Sequence, residues 1–242
     1  MGEAINKRVA AEVAARIGEA AAGAASPMAS NSARDRALAV ILREHRHLAS
    51  VLILFDAQMA EIVEGNKAAD FTLLATILCY IDAFPDRFHH PKEDRYLFSA
   101  LREAAARHGD AACIDLVDRC ANEHRTSARL LNGLERCFVA FQARLPAATS
   151  AFVDACAAYT RFHLDHMQVE ENDLLPRAIA LLTDAQWADI AAAFEANEDP
   201  FRGGESRRAY DNLRRRIIDL LPERERAVML QAEADANALG IA

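Results

Sequence analysis

The amino-acid sequence predicts an all-α protein, an up-down-up-down four-helix bundle with additional C-terminal helices. Four segments of about 25 residues carry apolar residues that recur at intervals of three and four, the spacing of one helical face. Short connections join these segments, as between antiparallel neighbours in a bundle. The chain of 242 residues contains only 9 Gly and 7 Pro and is rich in Ala, which favours helices over a turn-rich β fold.

The first bundle helix is predicted from about Ala33 to Gly65, where a Gly-Asn pair ends the periodic pattern. The second helix opens near Asp70. Pro85 and Pro91 lie within it. Each proline removes a backbone donor and crowds the preceding turn, so we expect the second helix to be kinked or divided there.

The rest of the bundle follows from the same signals. A short Ala-rich helix ends at Gly109, and the long third bundle helix continues until Pro146. The fourth bundle helix is predicted from about Ser150 to Pro176. Glycine and proline mark these ends because the first favours left-handed caps and the second cannot continue a helix.

The chain is predicted to divide into three parts. Residues 1–33 form an Ala-rich extension and linker, residues 34–180 form the bundle, and residues 181–242 form a C-terminal helical extension. Within the last part, Thr183 and Gln186 have the spacing of a capping box and start a fifth helix. A sixth, amphipathic helix is expected after it.

Charge and cysteine content narrow the functional classes. Lys and Arg number 28 against 36 Asp and Glu, a net charge of −8, which argues against a nucleic-acid-binding surface. No apolar run approaches the roughly 20 residues of a membrane span, and the N-terminus lacks the apolar core of a signal peptide. The 5 cysteines include no CxxC pair, which is typical of reduced thiols in a cytoplasmic protein.

Ionisable side chains interrupt the apolar stripe of every bundle helix. Each helix carries a histidine there, and the second and fourth helices also carry a glutamate four residues after it, on the same face. Buried without partners, these groups would cost several kcal/mol per charge, and a pair of metal ions is the simplest compensation. Two imidazoles would serve each ion, and both carboxylates would span the pair. The predicted metal ligands are His45, His89, Glu93, His124, His166 and Glu170.

The pattern leaves alternatives at several positions. His163 lies one turn before His166 on the same stripe, and Glu171 could replace Glu170 if the helix is locally distorted. His90 with Asp94 repeats the spacing of the second-helix pair one residue later, although the stripe favours the first pair. Metal-bound imidazoles usually donate their other nitrogen to a carboxylate. The candidates for that role are Glu44, Glu123, Asp165 and Glu171.

Four stretches resemble the hemerythrin HHE cation-binding family: EHRHL, FPDRFHHPKEDRYLFSAL, NEHR and HLDHMQVEENDLLPRA. The resemblance covers about residues 34–180. It implies a hemerythrin-like bundle with a non-haem di-iron centre. Matched by motif position, the two histidines of the first two helices would serve one iron, those of the third and fourth the other, and both glutamates would bridge.

One position departs from the oxygen-carrying members of that family, which have a fifth histidine four residues after the third-helix ligand. Ala128 stands there. The site is therefore more similar to the four-His, two-Glu centres of iron-repair and iron-sensing relatives, which argues against reversible oxygen carriage. The iron-repair relatives carry a cysteine-containing N-terminal domain, whereas residues 1–33 contain no cysteine.

The predicted function is that of a cytoplasmic metal-binding protein with two iron ions that share an oxo or hydroxo bridge. Zinc and manganese are the alternative metals. Such a centre binds, reduces or senses a small oxidant (dioxygen, peroxide or nitric oxide) in oxidative or nitrosative stress, or handles iron. The alternative is a structural or partner-interaction module that binds metal without redox turnover. The expected binding partner is a small diatomic molecule or peroxide, and neither nucleic acid nor a membrane is expected. The sequence is compatible with a homo-oligomer.

Overall fold

A computed structural model describes residues 32–196 and 207–230, except residues 224 and 228. Most of the predicted N-terminal extension and the predicted loop after the fifth helix lie outside the described residues. Within the described residues the regular secondary structure is entirely helical, which confirms the all-α fold. None of the described helices combines the length and the apolar character needed to cross a membrane.

Nine α-helices and three wider π-helical turns have both ends within the described residues, and four long rods built from them form the bundle. The α-helices are α1 (Ala33–Val63), α2 (Phe71–Phe84), α3 (His90–Lys92), α4 (Ser99–His108), α5 (Ala111–Gln142), α6 (Ala148–Val169), α7 (Leu175–Leu181), α8 (Asp184–Glu195) and α9 (Arg207–Leu220). The π-turns are π1 (Pro85–His89), π2 (Glu93–Phe98) and π3 (Glu170–Leu174). The rods are α1, α2 through α4, α5, and α6 with α7.

Side chains cap the helices where the sequence predicts them to begin. Ser32, Asp70 and Asp110 each accept a hydrogen bond from a backbone N–H of the first turn. Thr183 and Gln186 form the predicted capping box at the start of α8. These caps satisfy backbone donors that the helices themselves leave unpaired, and so they fix the helix starts.

The π-turns widen the second and fourth rods, and two of the three begin at predicted metal ligands. The prolines of the second rod divide it as predicted, since π1 begins at Pro85. π2 and π3 begin at Glu93 and Glu170, two of the predicted metal ligands. A π-turn inserts an extra residue into the helical repeat, so it changes which neighbouring side chains face the bundle interior.

A polar layer lies between two apolar core clusters. On α1, Ile41 belongs to one cluster and Leu48 to the other, and buried His45 lies between them. His124 occupies the corresponding level on α5. The C-terminal helices cover one side of the bundle, with α8 packed on α1 and α9 packed on α2. The fold thus encloses a layer of ionisable groups in apolar packing.

Candidate metal centre

The structure brings all six predicted metal ligands together in the polar layer. Each of the four rods contributes to the cluster, and every member is at most 7% exposed. The second and fourth rods supply a histidine and a glutamate each, while α1 and α5 supply one histidine each. The six are His45, His89, Glu93, His124, His166 and Glu170.

The four imidazoles form two pairs. The Nε2 atoms of His45 and His89 are 3.0 Å apart, and we call this pair the first half of the centre. The Nε2 atoms of His124 and His166 are 3.1 Å apart, and they form the second half. Adjacent ligands of an octahedral ion are about 3.0 Å apart when each lies about 2.1 Å from the metal. Each imidazole pair therefore has the spacing of two neighbouring ligands of one cation.

Glu93 reaches both halves with different oxygens. Its Oε1 is 3.2 Å from His89 Nε2, and its Oε2 is 3.5 Å from His124 Nε2. A carboxylate in this orientation can place one oxygen on each of two ions.

Glu170 also reaches both halves with different oxygens. Its Oε2 is 3.5 Å from His45 Nε2, and its Oε1 is 3.3 Å from His166 Nε2. Glu171, the alternative considered from the sequence, points elsewhere, so Glu170 is the glutamate that faces both halves.

A carboxylate lies on the outer nitrogen of each imidazole. The Nδ1 atoms are 2.8 to 2.9 Å from carboxylate oxygens, and the pairs are His45 with Glu171, His89 with Glu44, His124 with Asp94 and His166 with Glu123. Each Nδ1 therefore carries the proton that it donates, and each neutral imidazole turns an Nε2 lone pair inward.

Sequence reasoning found three of these four outer partners. Glu44, Glu123 and Glu171 bond imidazoles as expected, whereas Asp165 is exposed and bonds none of the four. The sequence predicts Asp94 only as an alternative ligand. The start of π2 at the preceding residue places its carboxylate on an imidazole of α5, and local helix distortion of this kind is not visible in a regular periodicity.

The centre holds a surplus of acceptors. None of the four oxygens of Glu93 and Glu170 has a hydrogen-bond partner, although all four are buried. They face the four inward Nε2 lone pairs. A buried carboxylate without a donor is strongly disfavoured, so this arrangement requires positive charge between the two halves, either metal cations or protons.

Protons are the alternative to cations. Burial lowers the pKa of His124, but its hydrogen bond to Asp94 and the nearby carboxylates of Glu93 and Glu170 raise it more, to about 10. Burial by contrast raises the pKa of Glu93, and the charge of the nearby His89 and His45 imidazoles brings it well below its usual range. Cations and protons therefore compete for the same lone pairs.

Two further histidines lie close to the centre without joining either pair. His163, the sequence alternative to His166, donates from Nδ1 to the Tyr159 carbonyl and places Nε2 3.0 Å from Ser127 Oγ. His90 stacks on His124 with ring centroids 4.0 Å apart. A ring nitrogen of His90 lies within 4.8 Å of donor atoms of the second half, a proximity that sequence reasoning did not assign a role.

Aromatic rings pack around the imidazoles. Phe84 stacks on His89 at 5.9 Å between centroids, and Phe98 stacks on His124 at 5.2 Å. Phe194 of α8 meets His89 edge-on at 6.1 Å. These contacts keep water away and strengthen electrostatic interactions within the layer.

Comparison with known proteins agrees with this geometry. A family model described as the Hemerythrin HHE cation binding domain matches residues 36–178. No curated protein and no solved structure matches the chain significantly. The matched range contains all six converging side chains and their four outer carboxylates, and groups of these side chains are suited to holding a metal ion.

Proposed function

The chain belongs to the hemerythrin HHE cation-binding domain family, and from this we propose that it holds two neighbouring iron ions and uses them to bind, reduce or sense a small oxidant. His45 and His89 would hold one ion, and His124 and His166 the other. Glu93 and Glu170 would bridge them. The observation that carries this proposal is the surplus of acceptors, because four carboxylate oxygens without donors face four imidazole lone pairs.

The donor set fits iron. Imidazole and carboxylate together suit divalent iron, manganese and zinc, and two nitrogens with two oxygens leave positions free around an octahedral ion. Iron, when bound, supplies the electrons that dioxygen, peroxide or nitric oxide chemistry requires. The side chains of this chain position the ions, fix the imidazole tautomers through their outer carboxylates, and exclude bulk water with aromatic rings.

The competing function is a structural or partner-binding module in which zinc or manganese is held without turnover. Elemental analysis and optical spectra separate the two. The di-iron proposal expects close to two Fe per chain and an absorption band that bleaches on reduction and returns with an oxidant. A colourless zinc protein that does not respond to oxidants would favour the structural module.

The bridging role of the two glutamates gives the first prediction. Replacing both Glu93 and Glu170 with Ala should abolish binding of both metal ions, because each carboxylate offers an oxygen to each half. Helicity should persist, since two buried unpaired charges are removed with the ligands. Metal content is measured by elemental analysis and helicity by circular dichroism.

A matched control is Glu103→Ala on α4, whose carboxylate is 70% exposed and pairs only within its own helix. It should retain two ions per chain. Unchanged iron content in the Glu93→Ala, Glu170→Ala double variant would show that the carboxylates do not bridge.

A further inference from the structure

The C-terminal helices α8 and α9 each place one buried aromatic ring on the same short stretch of the second rod. The two rings are Phe194 of α8 and Tyr210 of α9, which are 0% and 4% exposed. The stretch comprises residues 84–92, where α2 ends and π1 and α3 follow. It carries His89, a ligand of the first half, so the C-terminal extension contacts the region that holds a predicted metal ligand.

Phe194 contacts both the ligand and the group that orients the ligand. Its ring meets His89 edge-on, with 6.1 Å between the centroids, and Lys92 Nζ lies 4.7 Å from its centroid. Lys92 Nζ is 3.1 Å from both carboxylate oxygens of Glu44. Glu44 in turn accepts from His89 Nδ1 at 2.9 Å. Phe194 therefore supports the imidazole directly and also through Lys92 and Glu44.

Tyr210 supports the same imidazole through two neighbouring rings. Its ring centroid is 4.7 Å from that of Phe88 and 5.8 Å from that of Phe84. Phe84 stacks on His89 with 5.9 Å between centroids, and Phe88 lies 3.7 Å from Lys92 Nζ. Each ring that Tyr210 contacts thus contacts either the imidazole or the ammonium group behind it. The two C-terminal helices therefore pack around one metal ligand.

The backbone at His89 makes its position sensitive to this packing. π1 begins at Pro85, which has no backbone N–H to donate, and a π-turn departs from the regular α-helical repeat. Side-chain packing therefore has more influence on this turn than on the uninterrupted rods α1 and α5. A metal ligand must lie within about 0.2 Å of its proper distance from the ion, so a small shift of this turn changes the affinity for metal.

The second half is supported by rings of the bundle itself. Phe98 of the second rod stacks on His124, with 5.2 Å between centroids. Phe162 of α6 stacks on His166, with 6.4 Å between centroids. Among the described residues, the phenylalanine rings that stack on second-half imidazoles thus belong to bundle rods, whereas the first half also has a ring from α8. Packing of the C-terminal helices should therefore affect the two halves unequally.

We propose that Phe194 and Tyr210 are positioning residues of the first half, so that an ion bound there and the packing of the C-terminal helices stabilise each other. This inference rests on the proposed metal-binding function and extends it to the C-terminal helices. A bound ion fixes the His89 ring, against which Phe194 and Phe84 pack. By linkage, the packed helices raise the affinity of the first half by the same factor by which the ion favours their packing.

Zinc titration against a coloured chelator measures the two binding steps separately. Phe194→Leu keeps an apolar side chain but removes the ring, and it should weaken one step at least about fivefold while the other changes less than about twofold. The matched control is Ile190→Val, one turn earlier on α8 and buried in the same apolar cluster. It should change neither step.

Tyr210→Leu repeats this test on α9, and Ile217→Val, which is buried in the same apolar cluster as Tyr210, is its control. A residue that only stabilises the fold would weaken both binding steps alike when it is replaced. Equal weakening of the two steps in Phe194→Leu and Tyr210→Leu, or no weakening in either variant, overturns the proposal.

Hydrogen exchange of the α9 backbone amides tests the reciprocal effect of the ion on the helices. His45→Ala removes a first-half ligand from α1, and His124→Ala removes a second-half ligand from α5. Zinc should slow α9 exchange at least about fivefold in the native chain and in His124→Ala, but less than about twofold in His45→Ala. Equal protection in the two variants, or none in the native chain, overturns the proposal.

The two measurements separate this inference from the proposed function. If the native chain binds neither zinc nor iron, the proposed function fails and the positioning role fails with it. If the native chain binds two ions per chain but neither the unequal binding steps nor the unequal protection of α9 is observed, the proposed function stands and only the positioning role is wrong.

Discussion

The two halves of the centre share one plan and differ in their surroundings. Each begins with a Glu-His pair on a long helix and ends with a His and Glu four residues apart on another. In the first half, Glu44 is 2% exposed and lies 3.1 Å from Lys92, which is itself only 12% exposed. In the second half, Glu123 is 20% exposed and pairs with Arg119, which is 58% exposed.

The difference follows from the C-terminal helices. Lys92 lies over the rings of Phe88 and Phe194, at 3.7 Å and 4.7 Å from their centroids, and the second of these rings belongs to α8. The first half is thus sealed on its Glu44 side, whereas the corresponding pair of the second half, Glu123 with Arg119, is more exposed.

The largest expected contrast is in stability. Replacing Lys92 with Met removes the ammonium group that lies 3.1 Å from the buried Glu44 carboxylate and should lower the free energy of unfolding by about 2–3 kcal/mol. Replacing Arg119 with Met removes an exposed ion pair and should cost about 0.5 kcal/mol or less. Urea unfolding of both variants, each loaded with metal, measures the difference. Equal losses would contradict the claim that the first half is the sealed one.

Metal affinity should show a smaller contrast in the same direction. Glu44→Gln and Glu123→Gln each weaken the hydrogen bond that orients one imidazole, and changes of this kind typically cost about 10–100-fold in affinity. We expect about 100-fold for Glu44→Gln, where water cannot replace the carboxylate, and about 10-fold for Glu123→Gln. Competition with a coloured chelator measures both. A larger loss of metal affinity for Glu123→Gln than for Glu44→Gln would contradict the conclusion that the Glu44 side is the better sealed of the two.

The fold and the converging residues could be predicted because side chains that recur every three to four residues lie on the helix face that points into the bundle. The spacing that assigns Leu48 and Ile41 to the core also assigns the histidines on the same stripe to the interior. The structure confirms the helical bundle. The six side chains meet as expected, and their assignment as ligands stays a prediction. The division of the chain into an extension, a bundle and a C-terminal part also stays a prediction.

What the sequence did not reveal depends on departures from regular helix. The π-turn π2 begins at Glu93, so the next residue, Asp94, turns to the outer nitrogen of His124 on another rod, a role that the sequence does not predict. A periodicity of 3.6 residues cannot place two consecutive carboxylates in one site. The environment of His90 was hidden for a related reason, since stacking on His124 depends on how two rods pack.

The smallest expected contrast concerns pH. The pKa of His124 is about 10 in the folded protein, whereas its ordinary value is 6.5. In metal-free protein, the stability that charged His124 contributes is fully present below about pH 6.5 and is lost as the pH rises toward 10. Metal-loaded protein should show the opposite trend, because a cation binds only unprotonated imidazoles. Urea unfolding between pH 6.5 and pH 9.5 compares the two forms.

The outer carboxylates sharpen this test. Burial lowers the pKa of His45, and its hydrogen bond to Glu171 together with the nearby Glu93 and Glu170 carboxylates raises it well above its usual value. Glu171 is 19% exposed and Asp94 is 46% exposed. Glu171→Gln should therefore reduce the stability of metal-free protein at pH 6.5 by about 1 kcal/mol, and Asp94→Asn by about 0.5 kcal/mol, because solvent screens the more exposed pair. If metal-free protein instead gained stability between pH 6.5 and pH 9.5, protons could not be the charges that replace cations in this site.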